Sequence, residues 1–343
     1  MDTPVKSTRA GSLKLYHELM ANKVGDILLV SCPYDAFIME EEGRLSTRII
    51  NEYKGLNLSK PPRLTWVSSA SEAFQRLEEK KFDLILAMPS LDEMDVYSFG
   101  EKVKQKYADL PFFMLLHNTC DIDQYICVDK SKAIDRTYIW GGNADLLLAI
   151  IKNFEDEMNV AFDTENADVR VVILVEDSPY HYSSFLPVLY KQIVMQTQSV
   201  IDESINEEHR LLKMRGRPKV LVAHNYEEAM VLYEKYKPFL LSVFSDMRYP
   251  KNGLMDGLAG YKLLTKIKNE IPDLPVLILS TEDHNREKVA DIPAVFINKN
   301  SNNLNDQIKS FFVSYLGFGA FVFRMPDGEE IARASDLRAI EKL

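Results

Sequence analysis

Val171-Val-Ile-Leu-Val-Glu-Asp177, Phe239-Leu-Leu-Ser-Val-Phe-Ser-Asp246, Pro275-Val-Leu-Ile-Leu-Ser280 and Ala294-Val-Phe-Ile-Asn-Lys299 are four short apolar runs that each end in polar residues. Runs this short and this continuously apolar predict parallel strands buried on both faces, and the segments between them have helical spacing. In a sheet of that kind the carboxyl ends of the strands share one edge, which is where ligands bind. Glu176, Asp177, Asp246, Ser280 and Lys299 would meet there. Taken singly, each is an ordinary turn or cap residue. Their order along the chain, one group per strand end, is what points to a site.

The chain also repeats itself. Ile27-Leu-Leu-Val-Ser-Cys-Pro-Tyr34 echoes Ile173-Leu-Val-Glu-Asp-Ser-Pro-Tyr180, with the Pro-Tyr pairs 146 residues apart. After each come a helical stretch, a strand (Arg63 to Val67; Lys219 to Ala223) and a capped helix, where Ser69 and Asn225 precede Glu72 and Glu228 by three positions. Strands alternating with helices at this length predict an α/β chain made of two doubly wound, five-stranded parallel sheets in tandem, each in the flavodoxin-like order 2-1-3-4-5. The expected organisation is an N-terminal helix over 1–24, a first domain over 25–158, a polar linker over 159–168, a second domain over 169–316, and the start of a further strand-turn-strand-helix segment over 317–343.

The second copy resembles the receiver domain of response regulators in two-component signalling. That resemblance implies a phosphoryl group accepted on Asp246, with Mg²⁺ bound by Asp177 and Asp246, through water by Glu176, and by the backbone carbonyl of Arg248. Ser280 and Lys299 would contact the phosphoryl oxygens, and Phe296 stands where the family has its rotating aromatic switch. Two departures are visible. Asp177 and Asp246 are 69 residues apart, and Leu189, Ile193, Val200, Ile201, Ile205 and Leu211 predict that the excess forms an overlong helix containing Pro187, with an apolar stripe left to form a dimer or domain contact. Asn300 replaces the proline that usually follows the lysine.

Strand-by-strand alignment places Ser31-Cys32 of the first copy against Glu176-Asp177, Met88 against Asp246, Leu116 against Ser280 and Trp140 against Lys299. None of these can ligate a hard cation or accept phosphate, so the first copy reads as a degenerate pseudo-receiver.

A net charge of −10 argues against a broad nucleic-acid surface. Arg215-Gly-Arg-Pro-Lys219 matches the core of a minor-groove hook but runs straight into a predicted strand, so DNA binding is not expected. Cys32, Cys120 and Cys127 form no metal-like spacing and read as free thiols of a reducing compartment. No apolar run approaches membrane-spanning length, and the expected location is cytoplasmic. The tail Phe318-Gly-Ala-Phe-Val-Phe-Arg-Met-Pro-Asp-Gly-Glu-Glu330, together with a blank and then an intact receiver, resembles the N-terminal region of receiver-carrying phosphoenolpyruvate synthase or pyruvate phosphate dikinase-like proteins.

The expected function is a response regulator that takes its phosphoryl group from a sensor histidine kinase or phosphotransfer protein and relays it to an attached or partner output. An alternative is a scaffold or dimerisation module, never phosphorylated, of a larger phosphoenolpyruvate synthase-like enzyme. A phosphatase is the rival from another class, but it would want a carboxylate where Arg248 stands. Activity beyond self-phosphorylation and dephosphorylation is not expected.

Overall fold

The computed structural model describes residues 17–41, 47, 49–51, 53, 61–91, 93–117, 133–141, 144–201, 214–316, 321–324 and 330–334. It divides into two compact units. One gathers residues 22–155 and 178–187; the other gathers 156–177 and 188 onward, with the segment before residue 22.

The first unit is built on β1 (Asp26–Val30), α1 (Pro33–Glu41), β2 (Arg63–Val67), α2 (Ala70–Glu79), β3 (Leu84–Ala87), α3 (Val96–Lys106), β4 (Phe112–Leu116) and β5 (Arg136–Ile139), followed by α4 (Ala144–Ala167). Its strands pair in parallel in the order β2-β1-β3-β4-β5. The second unit continues with β6 (Val171–Val175), the part of α5 (Pro179–Val200) from Val188, β7 (Lys219–Ala223), α6 (Tyr226–Tyr236), β8 (Leu240–Asp246), β9 (Tyr249–Lys251), β10 (Leu254–Asp256), α7 (Ala259–Glu270), β11 (Val276–Ser280), α8 (Asn285–Lys288), β12 (Val295–Asn298) and α9 (Leu304–Phe311). Its five-stranded parallel sheet runs β7-β6-β8-β11-β12. Both sheets therefore have the predicted 2-1-3-4-5 order, and the chain is a tandem α/β protein. β4 and β6 are buried along their whole length, as continuous apolar runs demand.

Local chemistry sets the helix starts. Ser69 Oγ accepts from Glu72 N at 3.2 Å, and Asn225 Oδ1 accepts from Glu228 N at 2.8 Å. Each glutamate reaches back to the residue before the cap, Ser68 N at 3.1 Å and His224 N at 2.8 Å, so both predicted capping boxes form with the return bond shifted by one residue. β13 (Phe321–Arg324) and β14 (Glu330–Ala334) form an antiparallel pair, as the tail pattern predicts; the helix expected after Ser335 lies outside the described residues.

Two expectations are corrected. The polar stretch 159–168 is not a linker but the end of α4, which is helical through Ala167. One polar stripe of α4 faces inward while Glu165 and Asn166 stay exposed: Asp163 is fully buried against Lys219 at 2.9 Å, Asp156 against Arg217 at 2.8 Å, and Thr164 Oγ1 donates to the Val160 carbonyl at 2.7 Å. A helix stripe that buries ion pairs looks in sequence like solvated chain. The N-terminal helix does not reach residue 24; among the described residues it ends at Glu18, and Met20 takes a positive φ of 52° while its N–H donates to Asp163 Oδ1 at 3.3 Å. α5 runs to Val200 with Leu189, Ile193 and Ile201 buried, while Ile205 and Leu211, on which the expected extension rests, lie outside the described residues. The same ion pairs account for the hook-like motif: Arg217 and Lys219 are buried and paired, out of reach of a phosphate backbone. No helix among the described residues is long and apolar enough to cross a membrane.

Candidate functional site

The parallel register brings the predicted residues to one edge of the second sheet. Val175 pairs with Ser245 and Leu279 with Asp246, while Ser280 pairs with Asn298. Glu176 and Asp177 thus leave β6 beside the end of β8, Ser280 ends β11, and Lys299 follows β12. Lys299 Nζ lies 2.6 Å from Glu176 Oε2 and 3.0 Å from Asp246 Oδ2, with Glu176 fully buried. Carboxylate oxygens of Glu176, Asp177 and Asp246 all lie within 4.8 Å of one another.

Three carboxylates against one ammonium leave excess negative charge in a poorly hydrated place. Burial pushes the Glu176 carboxyl up to about 8, opposed by Lys299 and reinforced by Asp246 and Asp177. Burial, followed by the charge of Asp246, raises Asp177, while Lys299 and the exposed Arg248 oppose that rise. Asp246 is raised by burial against the pull of Lys299 and of the Met247 N–H, which donates to its Oδ1 at 2.7 Å. A compact set of oxygen donors with uncompensated charge fits a hard divalent cation such as Mg²⁺, which one or two carboxylates and retained waters suffice to hold. Arg248, the fourth expected ligand through its carbonyl, lies in the loop that follows Asp246.

A stability test follows from these directions. The folded chain keeps protons on these carboxyls that the unfolded chain releases near pH 4, so this site's contribution falls as pH rises towards about 8. Without divalent metal, Asp177→Asn is expected to melt a few degrees above wild type at pH 8, with the gap narrowing towards pH 5. Added Mg²⁺ should stabilise wild type more than the variant. Thermal unfolding at the two pH values checks both; a metal-free wild type that outlasts the variant at pH 8 would refute the charge-excess account.

Backbone and neighbouring side chains hold the segment around Asp246. A Cβ on Gly260 would sit 1.9 Å from the Asp246 carbonyl oxygen, and Gly260 N donates to the Met247 carbonyl at 3.1 Å; α7 can rest on the loop after Asp246 only because residue 260 has no side chain. Ser245 Oγ donates to the Asp246 carbonyl at 2.8 Å and meets the buried Tyr249 hydroxyl at 3.2 Å. The loop then forms the β9–β10 hairpin around Asn252-Gly253, with φ of 52° and 74°. Asn-Gly between extended residues is a strong hairpin signal in sequence, and that reading was missed. Also unforeseen are Gly260 and Asn285, whose buried amide donates to Ser280 Oγ at 2.9 Å. Phe296 is partly buried, with the Arg286 guanidinium 4.6 Å from its ring centroid.

The first sheet offers the same backbone positions to different side chains. Ser31 N donates to the Val67 carbonyl as Glu176 N does to that of Ala223, and Trp140 N donates to the Leu116 carbonyl as Lys299 N does to that of Ser280. Met88 follows Ala87, the partner of Val30, as Asp246 follows Ser245, the partner of Val175. Met88, Leu116 and Trp140 are buried, and Ser31 Oγ is engaged by Trp66 Nε1 at 2.9 Å.

No family model matches the chain, and no curated protein matches it. Solved structures do. A probable two-component system response regulator/GGDEF domain protein is similar over 85% of this chain and 99% of its own, at 14% identity and a TM-score of 0.34. The signal receiver domain of an HD domain-containing protein from Pseudomonas fluorescens Pf-5 is similar over 41% of this chain and 93% of its own, at 20% identity and a TM-score of 0.31. The receiver domain of sensor histidine kinase PA1611 from Pseudomonas aeruginosa PAO1, with a magnesium ion in its active-site cleft, is similar over 38% and 98%, at 19% identity and a TM-score of 0.29. The resemblance of the tail to phosphoenolpyruvate synthase-like proteins gains no support from these.

Proposed function

We propose that the chain is a phosphorylation-controlled switch in which Asp246 accepts a phosphoryl group from a phosphohistidine of a sensor kinase or phosphotransfer protein, or from a small acyl phosphate. An Asp246 oxygen attacks phosphorus, the bond from phosphorus to the donor nitrogen or oxygen breaks, and that atom keeps the electron pair. The observation that carries this reading is the cluster of Glu176, Asp177 and Asp246 with Lys299 bridging two of them. Catalysis of phosphoryl transfer is mostly positioning and charge neutralisation, and these groups supply both. Glu176, Asp177 and Asp246 would hold Mg²⁺, which when bound neutralises charge on the transferred group. Lys299, already 3.0 Å from Asp246, provides a positive charge for the incoming oxygens. The new charge of roughly −1.5 to −2 then draws on Ser280 and Lys299 and moves the β11–α8 loop, with Phe296 as the aromatic that follows.

In this reading the first receiver contributes assembly or partner binding and no chemistry. Met88→Asp in the full chain is expected to add no second phosphoryl group, because Ser31, Leu116 and Trp140 still offer neither metal ligand nor cation. Two phosphoryl groups in that variant would overturn the assignment.

The test is intact-mass analysis of the full chain after acetyl phosphate and Mg²⁺. One hydroxylamine-labile phosphoryl group, dependent on Mg²⁺, is expected. An unmodified mass under conditions that label a known receiver would leave an unphosphorylated scaffold as the reading.

A further inference from the structure

Ser280 is nearly fully buried at the end of β11, and its hydroxyl is already engaged. Its Oγ accepts from Asn285 Nδ2 at 2.9 Å and from Glu282 N at 3.2 Å. A serine hydroxyl has one proton and two acceptor positions. With both acceptor positions filled, only the proton remains, and its present partner, the Glu282 carbonyl, is 3.4 Å away, at the weak end of hydrogen bonding. The orientation of the Asn285 amide is fixed by chemistry. Its Oδ1 accepts from Lys288 Nζ at 2.9 Å, and an ammonium has no acceptor, so the amide nitrogen must face Ser280. The second Nδ2 proton goes to Glu282 Oε2 at 3.3 Å. Asn285 itself is buried, which holds this geometry.

We infer that Asn285 is a positioning residue that makes Ser280 a dedicated hydrogen-bond donor to the phosphoryl group on Asp246. A phosphoryl oxygen only accepts, so a hydroxyl free to accept elsewhere would spend part of its time with its proton turned away. Asn285 removes that freedom by occupying the lone pair. The inference rests on the phosphoacceptor reading above, and the test separates the two.

The probe is beryllofluoride, made from beryllium and fluoride salts, titrated calorimetrically with excess Mg²⁺ into the full-length chain. Asn285→Ala is expected to weaken beryllofluoride binding roughly tenfold, the cost of one hydrogen bond's positioning. Asn285→Asp should weaken it further, because a carboxylate takes the Ser280 proton for itself. The Asp variant keeps the amide's shape, so it carries the test if the Ala variant unfolds. Mg²⁺ affinity measured without fluoride should match wild type in both. In a Ser280→Ala background, Asn285→Ala should add nothing, which a merely structural role would not produce. Binding by both Asn285 variants equal to or tighter than wild type, or an undiminished Asn285→Ala effect without the Ser280 hydroxyl, would overturn the inference while leaving Asp246 as acceptor. A wild-type chain that takes up neither beryllofluoride nor phosphoryl group would instead remove the acceptor reading, and this inference with it.

Discussion

Asp246→Asn is expected to abolish phosphoryl uptake from acetyl phosphate entirely, with the wild-type chain labelled in parallel. The carboxamide has nearly the shape of the carboxylate, so the fold and the Lys299–Glu176 pair at 2.6 Å should persist. What disappears is the anionic oxygen that must attack phosphorus. Glu176 cannot substitute for it, because that carboxylate is fully buried, held by Lys299 and pushed towards its neutral form. Asp177 leaves the end of β6, whereas the Lys299 ammonium lies 3.0 Å from Asp246 and is placed to neutralise a phosphoryl group carried there. Intact mass with a thermal melt of the same sample checks the result. A folded Asp246→Asn chain that still gains a phosphoryl group would move the acceptor elsewhere.

Asp156→Ala should destabilise the second unit by about 3–5 kcal/mol, the usual cost of removing one partner of a buried ion pair. Asp156 lies on α4 and is fully buried, and its two oxygens satisfy three groups. Arg217 makes a two-pronged contact at 2.8 and 3.0 Å, the Tyr190 hydroxyl donates at 2.8 Å, and Val220 N donates at 3.0 Å. Truncation would take the counter-charge from a buried guanidinium that lies 5.3 Å from the Tyr190 ring centroid and keeps a neutral acceptor in the Pro218 carbonyl at 3.0 Å, and would remove the carboxylate acceptor of a backbone N–H at the start of β7. Lys219 close by is fully buried, and burial already depresses its ammonium, so it cannot absorb the change. The melting midpoint should drop on the order of 10 °C. Tyr190→Phe, which removes one hydrogen bond and keeps the ring, should cost only about 1 kcal/mol. Similar melts for Asp156→Ala and wild type would mean that water reaches Arg217 and that the pair is weaker than its geometry.

How much of this was legible beforehand depended on the range of the interaction. Apolar runs such as Val171–Val175 and Val276–Ser280 determined strands, their alternation with helices determined the doubly wound order, and the polar group at each strand end determined which residues meet, because the carboxyl edge of a parallel sheet is a consequence of topology alone. Caps at Ser69 and Asn225 were equally readable, since the partners are three residues apart. Long-range electrostatics was not readable. Asp156, Asp163, Arg217 and Lys219 look solvated in sequence, and only folding brings α4 against β7, where each pair neutralises itself and the polar stretch becomes helix. Close approach was invisible for a similar reason. Nothing in Leu258-Ala-Gly260 announces that the Asp246 carbonyl lies where a Cβ would be, and nothing in Asn285 announces that its amide will meet Ser280. Spacing along the chain fixes which groups can share an edge. Which lone pair is filled, and which charge is compensated, is set by distances of about 3 Å that only the packed structure decides.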